Sequence, residues 1–182
     1  MIKGWKTPET KKKMVGLMSQ YTQFMVESND IEREPGLNPN DLRVMHKVVS
    51  HGLKNEKQLL EIHGLLTQHL NVGWSGRYRD VDVGVGNSRP PEWRNVPTRM
   101  ENFFERLPRL DSWEAHNVFE CIHPFEDFNG RMGRLVWLSK ALGEFTNPFN
   151  LPFLQHYYYQ TLQHWSGDNM KRSKNDTQDS NS

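Results

Sequence analysis

The chain has 182 residues, 35% of them hydrophobic and 25% charged, which suits one domain with a single core, and a formal net charge of +1 argues against electrostatic binding of nucleic acid. The only cysteine, Cys121, excludes an intrachain disulfide and a multi-cysteine zinc site, and no stretch approaches the roughly 18 apolar residues of a membrane span. We expect a soluble, intracellular (cytoplasmic) protein with no nucleic acid or membrane partner; its oligomeric state stays open.

The first part of the chain shows the helical period. Apolar residues three and four apart predict an amphipathic helix from about residue 9 to residue 31, and the proline and glycine of residues 35–39 end it. A second helix is expected to begin at a cap formed by Asn40 or Asp41, and a third covers residues 59–66.

The pattern changes between residues 71 and 97. Glycine and proline interrupt it there, and alternating valine and tyrosine favour a short β-hairpin or flap. Helical patterns return after Pro97 and again from Ser112, a possible N-cap, and recur over residues 135–142 and 153–165. These elements predict an all-α bundle with one hairpin, as a single domain of residues 1–166, before a polar, disordered tail at 167–182.

Residues 123–134, HPFEDFNGRMGR, combine a base, acids, a turn and two cations. Proline disfavours the α conformation in the residue before it, so the preceding helix is expected to end there and leave the imidazole of His123 free to take a proton from a hydroxyl. Asn129 and Gly130 allow a tight turn, and the apolar period after them predicts a new helix. The N-terminus of that helix would suit a phosphate.

Two arginines and one acid complete this pattern. Arg131 and Arg134 lie three residues apart, on neighbouring positions of the first helical turn, where two guanidiniums favour a polyphosphate. Asp127 is close enough to hold a Mg²⁺ ion that bridges phosphate oxygens. Each feature alone has an ordinary interpretation, as a helix-to-turn junction, a turn or a solvated surface. Their combined spacing favours a magnesium-nucleotide site.

The whole stretch resembles the signature of the Fic family, His-Pro-Phe-x-Asp/Glu-Gly-Asn-Gly-Arg-x-x-Arg. Every fixed position matches except one, because Phe128 stands where the family has glycine. Three other stretches also resemble family segments: residues 116–122 before the motif, residues 76–79 with Val83 in the flap, and residues 158–162 after the motif. The likeness spans roughly residues 9–166 and implies a helical bundle with one hairpin.

The resemblance implies a protein adenylyltransferase, a nucleotidyltransferase that moves AMP from Mg-ATP to a Ser, Thr or Tyr hydroxyl of a target protein. The flap, about residues 76–85, would dock the target by strand addition. The implied roles are general base for His123, Mg²⁺ ligand for Asp127, phosphate ligands for Asn129 and Gly130, α/β-phosphate ligand for Arg131, γ-phosphate ligand for Arg134, core residue for Phe125, and target docking for Gly76, Arg79 and Val83.

Phe128 must adopt a turn for which the family uses glycine, a residue with wider backbone freedom. We expect its ring to pack outward while its backbone amide still serves the nucleotide, with altered substrate or lost activity as the alternative. Transfer of phosphate, UMP or phosphocholine on the same fold and an inactive nucleotide-binding scaffold stay open, whereas the motif's length disfavours a generic helical interaction domain. The phosphate-transferring branch tends to have lysine in place of Gly130, which counts against it.

A second stretch, ESNDIER at residues 27–33, resembles the family's inhibitory motif Ser/Thr-x-x-x-Glu-Gly/Asn through Ser28 and Glu32. Arg33 departs from its last position. The resemblance implies that Glu32 reaches the motif helix and forms a charge-assisted bond with Arg134, which then cannot orient the γ phosphate. The ordinary alternative is that Glu32 is an exposed acid at a helix end. We therefore expect an autoinhibited enzyme.

Overall fold

The structure is a computed structural model that describes residues 8–85 and 89–150. The all-α prediction is confirmed in these ranges, where the α-helices are α1 (Pro8–Ile31), α2 (Asp41–His51), α3 (Glu56–Thr67), α4 (Val96–Arg106), α5 (Ser112–Ile122) and α6 (Asn129–Glu144). Short 3-10 turns occur at Gln68–Leu70, Trp93–Asn95, Leu107–Arg109 and Pro148–Asn150. The predictions for residues 153–165 and 167–182 lie outside the described residues.

The segment between α3 and α4 contains the predicted flap, residues 76–85. Within its described residues, 71–85 and 89–92, this segment forms no regular strand, and Val85 makes a single isolated β-bridge. Residues 86–88, where a hairpin would turn, are outside the described part.

Side-chain caps set the start of two helices. The Asn55 side chain accepts the backbone N–H of Gln58 at 3.0 Å in front of α3. At α5 the prediction of Ser112 as N-cap is wrong by one residue. Asp111 accepts the N–H groups of Trp113 and Glu114, both at 2.8 Å, while Glu114 accepts the N–H of Asp111 at 3.0 Å. This reciprocal capping box satisfies more of the unpaired donors than a lone serine could.

Helix α6 lies at the centre of the described bundle. It contacts α5, α2 and α1, and it carries buried side chains around its whole circumference, as expected for a helix packed on several sides. Its buried apolar residues are Met132, Leu135, Val136, Trp137, Leu138 and Ala141. The loop between α5 and α6 contains the first half of the motif, so the most deeply packed helix pair positions the candidate site. No helix in the described ranges has both the length and the apolar character needed to cross a bilayer.

Candidate active site

The loop between α5 and α6 is fixed by its own buried residues. Phe125 is fully buried, which confirms its predicted place in the core, and its ring stacks on His63 of α3 at 3.8 Å between centroids. The Asn129 side chain accepts the N–H of Phe125 at 2.9 Å and donates to its carbonyl at 2.8 Å. Both ends of that amide are thus occupied by backbone. A phosphate contact by Asn129 is therefore left to its backbone N–H, one of the helix N-terminal donors that lack an intrahelical partner.

His63 ties this loop to the flap. Its Nδ1 accepts the N–H of Gly76 at 3.0 Å, and its Nε2 lies 3.3 Å from the carbonyl of Asp127. Burial lowers the pKa of His63 to about 4, so the ring is neutral and can donate from Nε2 while accepting at Nδ1. Gly76 has φ 69° and lies against Gly64 of α3, a close approach that a side chain would obstruct.

His123 caps the C-terminus of α5, as the proline after it predicts. It has left-handed backbone angles, φ 50° and ψ 61°, and its N–H donates to the carbonyl of Phe119 at 2.9 Å. Burial lowers the pKa of His123 to about 4, so the imidazole is neutral near pH 7. Its Nδ1 is buried, 3.8 Å from Glu120 Oε2, which leaves Nε2 as the nitrogen that a target hydroxyl can reach.

Arg134 is fully buried and bonded to α1. Its Nε–H donates to Ser28 Oγ at 2.7 Å, and its Nη2 donates to the Ser28 carbonyl at 2.9 Å and to Glu32 Oε1 at 2.7 Å. The Glu32 carboxylate also lies over the start of α6, because a Cβ on Gly130 would sit 2.5 Å from Glu32 Oε1. Glu32 thus occupies the place beside Gly130 and Arg134 where a phosphate is expected.

Arg131 has an acidic partner and an aromatic one. Its Nη1 donates to Glu34 Oε2 at 2.8 Å, and its guanidinium carbon lies 3.3 Å from the ring centroid of Phe128. Arg33, between Glu32 and Glu34, has φ 61°, a conformation that favours the glycine or asparagine of the family motif. This left-handed residue lets the end of α1 present both acids to the first turn of α6.

The expectation for the Phe128 ring is wrong. Phe128 adopts φ 66° at the N-cap of α6, the conformation that glycine would allow, but the side chain is only 4% exposed. It packs inward against His63, Trp74 and His69 and under Arg131. Its N–H donates to Asp127 Oδ1 at 2.6 Å. The aromatic cluster and the cation above the ring explain why the chain tolerates a left-handed phenylalanine here.

Asp127 fits the chemistry of a magnesium ligand. It is exposed; Oδ1 is held by the Phe128 N–H, and the described residues offer Oδ2 no hydrogen bond. Within the described ranges no group of three or more His, Cys, Asp or Glu side chains forms a closed metal site. A single carboxylate matches Mg²⁺ sites in which nucleotide phosphates and water complete the coordination.

The flap presents apolar side chains to solvent. Val81 and Val85 are exposed and Val83 is half-buried, so this segment can offer a surface to an extended peptide. The side chain of Arg79 lies in the interior and bonds backbone carbonyls. Any contact that Arg79 makes with a target therefore goes through its backbone.

Sequence reasoning missed several residues of the site. Glu34 belongs to a charged run with no motif of its own, and His63 lies in a helix that showed only the apolar period. Glu120 offered one signal, its i, i+3 spacing to His123 within the helix that precedes the base. Burial raises the pKa of Glu120 to about 7, with Arg134 opposing this and Glu32 adding to it.

Comparison with known proteins identifies the family. Residues 53–139 match the Fic/DOC family, a span that contains the whole motif. The chain belongs to the Fic/DOC family. The crystal structure of a Fic family protein from Desulfovibrio desulfuricans superimposes with a TM-score of 0.58 at 22% identity, over 92% of this chain and 60% of that one. At this identity the likeness supports the Fic fold alone.

Two relatives named protein adenylyltransferase Fic match over only part of their length. A protein adenylyltransferase Fic of Nematostella vectensis is 29% identical over 114 residues, covering 57% of this chain and 27% of that protein. A protein of the same name from Culex quinquefasciatus is 31% identical over 117 residues, covering 59% and 23%. The chain thus spans about a quarter of the length of these curated relatives.

Proposed function

We propose that this Fic protein is a protein adenylyltransferase that transfers AMP from Mg-ATP to a Ser, Thr or Tyr hydroxyl of a target protein in the cytoplasm. The observation that carries the proposal is the arrangement at the start of α6. A neutral base, His123, ends α5, while Arg131 on the first turn of α6 and Arg134 on the second lie near its N-terminal N–H groups. Similarity to proteins named adenylyltransferase favours AMP as the transferred group.

Different residues of the site carry out proton transfer, phosphate binding and Mg²⁺ binding in the proposed reaction. His123 takes the proton of the target hydroxyl while the hydroxyl oxygen attacks the α phosphorus, and the bond from that phosphorus to the bridging oxygen breaks to release pyrophosphate. Arg131, Arg134 and the N-terminal N–H groups of α6 hold the phosphates. Asp127 would hold Mg²⁺, which when bound neutralises phosphate charge.

The proposal includes autoinhibition by α1. Ser28 and Glu32 fill the hydrogen-bonding capacity of one face of Arg134, so this arginine cannot bind the γ phosphate while α1 keeps its position. A nucleotide that binds without this contact would place its α phosphate out of line with the attacking hydroxyl. We further propose that residues 1–166 act as one domain, in which α1 is the inhibitory helix.

Differently labelled ATP tests the transferred group. We expect the Glu32→Gly variant, incubated with ATP labelled at the α or the γ phosphate, to retain only the α label and to gain the mass of AMP. His123→Ala should lose this labelling and still bind ATP, because general-base catalysis contributes a factor of about 10² to 10⁴. Retention of the γ label would instead indicate phosphate transfer, and a UMP or phosphocholine adduct would require those donors.

An inactive nucleotide-binding scaffold is the second candidate. One observation favours it, since Arg131 is covered by the Phe128 ring and bonded to Glu34. The same experiment separates the two candidates. A Glu32→Gly protein that binds ATP but gains no mass, alone or with cell lysate, would support the scaffold.

A further inference from the structure

Arg79 of the flap contacts the backbone on the C-terminal side of the candidate base. Its Nε–H donates to the carbonyl of His123 at 2.8 Å, and its backbone N–H donates to the carbonyl of Pro124 at 3.0 Å. The side chain is 0% exposed, although Val81 and Val85 in the same segment are exposed. One flap residue therefore holds two consecutive carbonyls of the active-site loop.

The other end of the same guanidinium holds the flap itself. Nη1 donates to the carbonyl of Val81 at 2.9 Å, and Nη2 donates to the carbonyl of Pro91, in the segment that leads to α4. Asp82 Oδ1 lies 3.7 Å from Nη1 and accepts the N–H of Trp93 at 2.8 Å. Because a guanidinium is planar and rigid, these bonds fix the flap relative to His123.

The backbone of His123 is sensitive to such a constraint. The left-handed conformation is unfavourable for a residue with a Cβ, so the surroundings must hold His123 there. On one side its N–H is bonded to Phe119 in α5, and on the other its carbonyl is bonded to Arg79. Since the direction of Cβ follows from the backbone angles, these two bonds aim the imidazole.

Charged groups from four elements face the imidazole of His123. They are Glu120 of α5, Arg79 of the flap, Asp127 of the loop and Glu32 of α1. Burial is the main cause of the lowered pKa of His123, and the positive charge of Arg79 acts in the same direction, whereas a backbone hydrogen bond to Glu120 and the negative charges of Asp127 and Glu32 oppose it. Arg79 therefore contributes to keeping the imidazole neutral.

We propose that Arg79 is a positioning residue that couples the target-docking flap to the general base. A hydroxyl docked on the flap would then meet an imidazole held in the same rigid frame. This inference rests on the proposed adenylyl transfer. Loss of Arg79 should slow the transfer step more than nucleotide binding, because the described bonds of Arg79 go to the flap and to His123 and Pro124, not to the arginines of α6.

The test compares Arg79→Gln and Arg79→Lys with Arg99→Gln, all in the Glu32→Gly background. Arg99 is the matched control, since it is an exposed arginine of α4, outside the flap and the active-site loop. We expect Arg79→Gln to lower the rate of self-labelling at saturating ATP by about 30-fold or more, with the Kd for ATP changed less than about twofold. Arg79→Lys should recover part of the rate, and Arg99→Gln should keep it.

Titration of His123 by NMR separates positioning from a general loss of structure, and it needs no transfer. In Arg79→Gln the pKa of His123 should rise, because the cation that lowers it is gone, and in Arg79→Lys it should stay near the Glu32→Gly value. Transfer by Arg79→Gln at the Arg99→Gln rate, or slower transfer with an unmoved pKa of His123, overturns the proposal. Should Arg79→Gln not fold, an Arg79→Lys rate equal to that of Arg99→Gln overturns it. If no variant transfers AMP, the proposed function fails, and the titration of His123 still tests the coupling by Arg79.

Discussion

Glu34 Oε2 lies 2.8 Å from Arg131 Nη1, and Glu32 Oε1 lies 2.7 Å from Arg134 Nη2. Both arginines that we assign to phosphates are therefore paired with acids from the end of α1. The two pairs differ in their surroundings. Both arginines are buried, but Glu34 is 62% exposed and Glu32 is 34% exposed, and Arg134 is also bonded to Ser28. Removal of either acid should increase activity, and by different amounts.

Glu34→Gln should raise AMP transfer further when it is added to Glu32→Gly. Because Glu34 is 62% exposed, its ion pair with Arg131 should contribute at most about 1 kcal/mol, so we expect a gain of up to about fivefold together with tighter ATP binding. Initial rates of α-label incorporation and the Kd for ATP measure it. Asp30→Asn, an exposed acid of α1, is the control and should change neither quantity. If Glu34→Gln leaves the Kd for ATP unchanged, Arg131 does not need to be released from Glu34 in order to bind the nucleotide.

Glu32→Gly should raise AMP transfer or self-labelling by about tenfold or more, which corresponds to at least roughly 1.4 kcal/mol of released inhibition. The gain should exceed that of Glu34→Gln because Glu32 is the less exposed of the two acids, 34% against 62%. The double variant Glu32→Gly with Arg134→Ala should lose the gain, since we propose that the freed guanidinium binds the γ phosphate. Equal rates for wild type and Glu32→Gly, in a protein that is otherwise active, would return Glu32 to the role of a helix-end acid.

Phe128→Gly should leave AMP transfer within about tenfold, a barrier change of roughly 1.4 kcal/mol, because the side chains with direct roles are intact. It should nevertheless lower the free energy of unfolding by about 2–3 kcal/mol, since the loss of a buried ring outweighs relief of the left-handed conformation. Urea unfolding and initial rates measure the two effects. A much larger gain in transfer would show that the ring over Arg131 suppresses activity, and unchanged stability would contradict the buried position.

Stability should rise between about pH 4 and pH 6.5. Burial lowers the pKa of His63, His116 and His123 from the ordinary 6.5 to about 4, so the unfolded chain binds more protons in this window. Glu120 acts in the opposite direction, because its pKa of about 7 lies above the ordinary 4.5 and its contribution falls as pH rises. The combined effect of the three histidines on stability exceeds the opposite effect of Glu120. Urea unfolding at pH 5 and pH 7 should show higher stability at pH 7.

Glu120→Gln provides the internal check on this balance. Removal of the opposing group should steepen the rise of stability with pH, while Glu105→Gln, an exposed acid of α4, should leave the slope unchanged. A slope in Glu120→Gln no steeper than in wild type would mean that Glu120 loses its proton at its ordinary pKa.

Local chemistry made much of the site predictable. Pro124 indicated where α5 ends, which places His123 directly after the C-terminus of that helix. Asn129 with Gly130 indicated where α6 begins. The pairing of Glu32 with Arg134 was reached through resemblance to a family motif, because the two residues are 102 positions apart in sequence. No local pattern carries that information.

The residues that escaped prediction depend on distant partners. The inward Phe128 ring follows from Trp74, His69 and the Arg131 cation around it, and a turn propensity says nothing of those neighbours. Arg79 resembled a flap residue, but its bond to the His123 carbonyl spans 44 positions. Glu34 contacts Arg131 across 97 positions. Side-chain direction at such sites is set by tertiary packing.

The contact of α1 with Arg134 joins two parts of one chain, 106 positions apart at Ser28. Such an internal ligand has an effective concentration that is set by the fold and does not depend on how much protein is present. Dilution would therefore not relieve the proposed autoinhibition. A partner that draws α1 away must outweigh both these hydrogen bonds and the packing of Tyr21, Phe24 and Met25 in the core, whereas a competing nucleotide must match the effective concentration of Glu32 at every turnover.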